Sequence, residues 1–141
     1  MATVYGTNAT KIAAGGLANK IDNGNIDAKI KIFIDDYTFA ASAAGTVVKV
    51  GPTLPAGAVI LDVRVMNAAS GGSVTFSVGD SDTAARYISA ADGNSAAAVK
   101  VLTLNMGYVI GTTTGDNQIL ITTAGASATG KFVIVVKYAM D

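Results

Sequence analysis

Apolar and polar residues alternate with a period of two along most of this 141-residue chain, and that pattern constrains its fold more than any other feature. Ile26, Ala28, Ile30, Ile32 and Ile34 point to one side of an extended segment, and Asp27, Lys29 and Lys31 point to the other. The spacing predicts a half-buried antiparallel strand with the isoleucines on its buried face, bent or ended at Asp35-Asp36. A clearer strand follows the turn Gly51-Pro52-Thr53-Leu54-Pro55-Ala56-Gly57, with Val59, Leu61, Val63 and Val65 directed to the core and Asp62 and Arg64 to solvent. Ser73 to Gly79 repeats the alternation with Val74, Phe76 and Val78 inward, and the loop at residues 67–72 joins it to the preceding strand as an expected hairpin.

Further strands are predicted at Tyr37–Phe39, Thr46–Val50, Val99–Leu104 and Tyr108–Ile110. Residues 84–98 fit either a strand or a short helical stretch, since alanine favours helix while Gly93 and Asn94 weaken it. Gln118–Thr123 and Lys131–Tyr138 read as a last hairpin across the small-residue loop between them, with Phe132, Ile134, Val136 and Tyr138 on one face. Eight to ten short strands separated by Gly, Asn, Asp and Ser turns indicate an all-β chain, an antiparallel β-sandwich, with a jelly roll of about eight strands as the preferred topology. Residues 1–25 differ. They are rich in Ala, Gly and Asn, Gly15-Gly16 interrupts any helix, and apolar anchors recur at Val4, Tyr5, Ile12, Leu17 and Ile21. This segment is expected to be an extended arm laid on a neighbouring subunit, preceding a sandwich domain at residues 26–141.

Composition agrees with the strand count. All ten acidic residues are aspartate, and the chain contains no Glu, His, Cys or Trp. Glutamate is a good helix former and aspartate favours turns and caps, so its absence argues against long exposed helices. Ten Lys and Arg offset the ten Asp, and charged residues make up 14% of the chain against about 25% in ordinary domains. A neutral, charge-poor surface favours association, so copies of the chain are expected to cover one another. The basic residues are scattered singly, which excludes a nucleic-acid footprint. The longest run of large apolar residues, Phe132 to Val136, is too short to span a bilayer as a helix. The N-terminal segment lacks the pattern of a secretory leader, and the expected site of synthesis is a cytosol.

Catalytic chemistry has few carriers here. Without His or Cys the usual general base, thiol nucleophile and transition-metal ligands are missing, and no GxSxG, SxxK or phosphate-loop spacing occurs. The chain is read as a non-enzyme with no cofactor. Asp80-Ser81-Asp82 offers two carboxylates that could hold calcium, but the rest of a calcium-loop pattern is absent and the triplet has the composition of an ordinary turn. Carbohydrate sites usually stack sugars on Trp or Tyr, of which there are no Trp and five Tyr. A carbohydrate- or calcium-binding module, as in an adhesin, is the alternative to an assembly subunit.

The stretch from Leu54 to Val65, which opens with Leu-Pro-Ala-Gly-Ala, and the stretch from Ser73 to Tyr87, in which Ser-Val-Gly-Asp leads to Arg86-Tyr87, resemble segments of small β-sandwich structural proteins of tailed bacteriophages. In style the whole chain is similar to the capsid decoration, or cement, proteins, although such segments also occur in tail and fibre modules. The resemblance implies a jelly-roll subunit that forms homotrimers and binds the outer surface of the major capsid protein lattice in the virion, with no catalytic residues. Val4, Tyr5, Ile12, Leu17 and Ile21 are then the expected contacts of the arm.

Overall fold

The computed structural model describes residues 29–94, 98–101, 107–111 and 117–140. The arm residues Val4, Tyr5, Ile12, Leu17 and Ile21 therefore lie outside the described residues. Eight strands are described: β1 (Lys29–Ser42), β2 (Val47–Val50), β3 (Val59–Asn67), β4 (Thr75–Gly79), β5 (Ile88–Asp92), β6 (Ala98–Val101), β7 (Ile119–Ala124) and β8 (Ala128–Met140). They form two four-stranded antiparallel sheets, ordered β1-β8-β3-β6 and β2-β7-β4-β5. The chain is thus an all-β sandwich. Its pairs nest, first strand with last, second with seventh, third with sixth and fourth with fifth, so most of the pairing is long-range.

The inner faces follow the period of two. Ile60, Val63 and Val65 of β3 and Phe132, Ile134, Val136 and Tyr138 of β8 meet Val48 and Val50 of β2, Phe76 and Val78 of β4, and Ile119 and Ile121 of β7 in one buried cluster. The turn before β3 adds Leu54 and Ala58, and β1 contributes Phe39. Several polar groups inside find local partners. Asn67 donates through Nδ2 to the carbonyls of Gly93 (3.1 Å) and Ala68 (3.0 Å). Ser70 and Thr129 exchange side-chain bonds to each other's carbonyls at 2.6 and 2.8 Å.

Four sequence expectations change. The residues at 59–67 do form a strand, but the pairing with β8 shifts between Ile60 and Asp62. An irregularity there advances the side-chain phase by one residue, as a β-bulge does. Ile60 becomes fully buried and Leu61 is 42% exposed, the reverse of simple alternation. The expected hairpins of β3 with β4 and of β7 with β8 do not exist, because each pair is split between the two sheets. Both sides of β8 are already taken by β1 and β3, so β7 pairs with β2 and β4 instead. Residues 108–110 contribute one isolated bridge, Val59 to Val109, rather than a strand. Lastly, β1 does not end at Asp35-Asp36 but continues to Ser42, with consequences for its faces described below.

The tight passage from β7 to β8 requires glycine. Gly125 has φ +84°, and a Cβ there would sit 2.0 Å from the carbonyl oxygen of Ser73. Gly57 has a similar φ of +88° but open space around it. Gly57→Ala is expected to lose about 1–2 kcal/mol, the cost of a left-handed alanine. Gly125→Ala adds a backbone clash and should lose at least about 2 kcal/mol. Urea unfolding of the two variants should separate them, and equal losses would show that the clash is relieved at no cost.

Candidate interaction surface

A strand at the edge of a sheet buries a face only where another layer lies over it. The parity of β1 is set by Phe39, which is buried, and by Phe33, which packs partly against the core with its ring over Gly51. Odd-numbered residues of β1 therefore face the second sheet, and the even-numbered isoleucines face outward. Ile30, Ile32 and Ile34 are 64%, 56% and 68% exposed. This overturns the expected burial of the isoleucine row: the alternation is present, but its apolar side is the outer one.

The row continues across the sheet. Ile30, Ile32 and Ile34 stand opposite Ala139, Lys137 and Val135 of β8, and Val133 of β8 stands opposite Met66 of β3. Val133 and Val135 are half-buried and Met66 is exposed. The result is an apolar outer face, crossed by Lys137 and by the Arg64–Asp62 ion pair at 2.7 Å. The outer face of the second sheet is mixed: Val47, 53% exposed, stands beside Lys49, Thr75 and Ser77 there. Contiguous exposed apolar area on a folded domain commonly marks an interaction site.

The aspartate triplet has a structural occupation. Asp80 is buried, and its Oδ1 accepts from the backbone N–H groups of Asp82 (3.1 Å) and Thr83 (2.9 Å). Its Oδ2 accepts from Nε of Arg86 at 2.5 Å, and Nη2 of Arg86 reaches Oδ1 at 3.3 Å. The guanidinium in turn lies 4.1 Å over the ring of Tyr108. Asp80 therefore caps a turn and neutralises an arginine, leaving its carboxylate little capacity for a cation. Among the described residues no group of three acidic ligands gathers that could hold a metal. A small pocket lies beside this turn, lined in part by Asp80, Asp82, Tyr87, Tyr108 and Asn117.

Tyr87 is fully buried at this place and its hydroxyl finds no hydrogen-bond partner among the described residues. Burial raises its pKa well above the ordinary tyrosine value, with Asp80 adding to the shift and Arg86 opposing it. A raised folded-state pKa stabilises the fold while the phenol stays neutral, and that contribution falls as pH rises beyond the unfolded value near about 10. Stability is expected to drop above about pH 10 more steeply in the parent protein than in Tyr87→Phe. Thermal unfolding from pH 8 to 11 checks this, and parallel curves would refute it.

No protein-family profile matches the chain, and no curated protein sequence does. Solved structures share its fold. A chain of the cyanophage Pam1 capsid asymmetric unit superposes with a TM-score of 0.66 at 23% identity, over 81% of this chain and 86% of that one. A chain in the capsid of Ralstonia phage GP4 gives 0.56 at 17% identity, over 80% and 85%. A chain in the acid-stable capsid of Helicobacter pylori bacteriophage KHP30 gives 0.53 at 15% identity, over 79% and 87%. At these identities the likeness establishes a common sandwich fold over 79–81% of this chain.

Proposed function

We propose that this chain is a structural protein of a bacteriophage virion, a decoration or cement subunit that binds the outer surface of the major capsid lattice as a homotrimer and stabilises the head. The observation that carries the reading is the apolar outer face of the β1-β8-β3 sheet, on a neutral chain whose fold recurs in chains of three phage capsids. The strand orders β1-β8-β3-β6 and β2-β7-β4-β5 support a jelly roll, since nested pairing of first with last and second with seventh arises when a long antiparallel ribbon rolls up on itself.

The mechanism is mass action. A subunit that binds only the intact shell stabilises it by RT ln(1 + [L]/Kd), about 2.7 kcal/mol per site when free subunit is at 100 times Kd. No bond is made or broken. Val4, Tyr5, Ile12, Leu17 and Ile21 of the arm at residues 1–25 would add contacts across seams, ordering on the shell as they bind. Of the alternative, a carbohydrate- or calcium-binding module of a tail, fibre or adhesin, the calcium form loses support from the engagement of Asp80 with Arg86.

Image reconstruction of the parent particle tests the proposal. Density for this sandwich is expected on the outside of the head shell in groups of three. Density confined to the tail, or absence of the chain from purified particles, would overturn it.

A further inference from the structure

The free edge of β1 carries its own complement. This strand is fourteen residues long and, among the described residues, pairs with β8 alone. Natural edge strands are commonly short, bulged or covered, because an open ladder recruits another strand. The exposed half of β1 reads Lys29-Ile30-Lys31-Ile32-Phe33-Ile34-Asp35, with cations at one end and an anion at the other. We infer that this edge pairs antiparallel with β1 of a second copy of the chain, about a two-fold axis through Ile32, extending the sheet across both copies.

Register decides the fit. Antiparallel neighbours place residues of the same parity opposite one another, so the two outer faces stay on one side of the joined sheet. With Ile32 facing its own copy, Ile30 meets Ile34 twice, giving a continuous isoleucine ladder on the outer face. On the inner face Lys29 meets Asp35 twice, and the stem of Lys31 lies beside the ring of Phe33. Shifting the axis to Phe33 would set Asp36 against Ile30. It would also draw Asp36 from Lys131, which it contacts at 3.3 Å. Asp35 is already held at the edge: its Oδ2 accepts from the N–H of Gly51 at 2.7 Å, and its Oδ1 from the N–H of Asp36 at 2.8 Å. Lys29 and Lys31 are exposed and make no ion pair among the described residues.

The pairing rests on the edge itself and not on the capsid reading. If both hold, a two-fold contact of this kind would link a subunit of one trimer to a subunit of the next, lacing the outer layer together at axes where threefold groups meet.

The absence of cysteine gives a clean test. Residues directly opposite across an antiparallel pair have Cα atoms about 4.5–5.5 Å apart, within disulfide range. In the full chain, Ile32→Cys places two thiols on the axis. Ile30→Cys and Ile34→Cys each place them four residues out of register, about 13 Å apart. Mild oxidation of each purified variant is expected to yield at least about five-fold more reducible dimer from Ile32→Cys than from either other variant. Lys29→Asp added to Ile32→Cys should lower that yield. Equal yields from all three variants would mean random collision. A cysteine at 32 that neither crosslinks nor reacts with alkylating reagent would place another segment over the row. Either result overturns the pairing. Shell binding is measured separately, so failure of one proposal leaves the other standing.

Discussion

Phe132→Ala is expected to cost about 4 kcal/mol of folding stability, within the roughly 3–5 kcal/mol typical of truncating a buried aromatic ring. Phe132 is almost fully buried on β8, opposite Tyr37 of β1 and Asn67 of β3. Its ring is edge-on to Phe39 at a centroid distance of 5.0 Å and to Phe76 of β4 at 5.1 Å, while Phe39 meets Tyr37 at 4.8 Å. These four rings form a chain from the edge of one sheet into the other. Removing Phe132 leaves a cavity and breaks two aromatic contacts, each worth about 0.5–1.5 kcal/mol beyond area burial. A domain of this length holds about 7–20 kcal/mol in total, so the variant should be visibly crippled. Urea titration reads the effect as a fall in the midpoint at constant slope. Phe132→Leu, which keeps most of the volume, should lose well under half as much. A loss below about 1.5 kcal/mol for the alanine variant would show that the sheets close over the gap and that the ring chain does not join them.

Asp80→Ala is expected to lose about 3 kcal/mol. Breaking a buried ion pair from one side typically costs about 3–5 kcal/mol, and the partial exposure of this pair places it at the lower end. The side chains of Arg86 and Asp80 are 15% and 10% exposed. Without the carboxylate, two loop N–H groups lose their acceptor and the guanidinium over Tyr108 loses its counter-charge. In the parent Asp80 raises the pKa of Arg86, chiefly through their hydrogen bond, and without Asp80 the guanidinium still keeps its proton, so its charge cannot be shed. Asp80→Asn separates the two roles: its amide oxygen can still cap the loop but cannot neutralise Arg86, and about half the loss should return. If Asp80→Ala and Asp80→Asn are both as stable as the parent, the pair is solvated and structurally idle. If calcium raises the melting temperature of the parent but not of Asp80→Asn, the aspartate is a ligand after all.

The interaction surface was only half legible in the sequence. The isoleucine row at positions 30, 32 and 34 stands out by period, but its natural reading is a core face, since isoleucine is among the residue types most often buried. One signal pointed the other way. If the strand runs past Asp35, then Phe33, Tyr37 and Phe39 share a face, and two apolar faces compete for a single core. The aromatic face wins because the second sheet lies beneath its far end, where Phe39 meets Phe132 and Phe132 in turn meets Phe76 of the second sheet. The isoleucines are left outside, on a stretch of sheet with no described layer above them.

Local pattern by itself determined that the chain is all β, roughly where its strands lie, and which residues alternate. Val74 just before β4, Phe76 and Val78 of β4, and Phe132, Ile134, Val136 and Tyr138 of β8 are buried as their spacing predicts. Three matters belonged to the tertiary structure alone: the partner of each strand, the phase change at Leu61, and the side of β1 that faces water. The reason is physical. Alternation is a property of one extended backbone, readable within a few residues. Pairing and burial are decided by competition among strands far apart in the chain, as when β8 takes β1 on one flank and β3 on the other and leaves β7 to the opposite sheet.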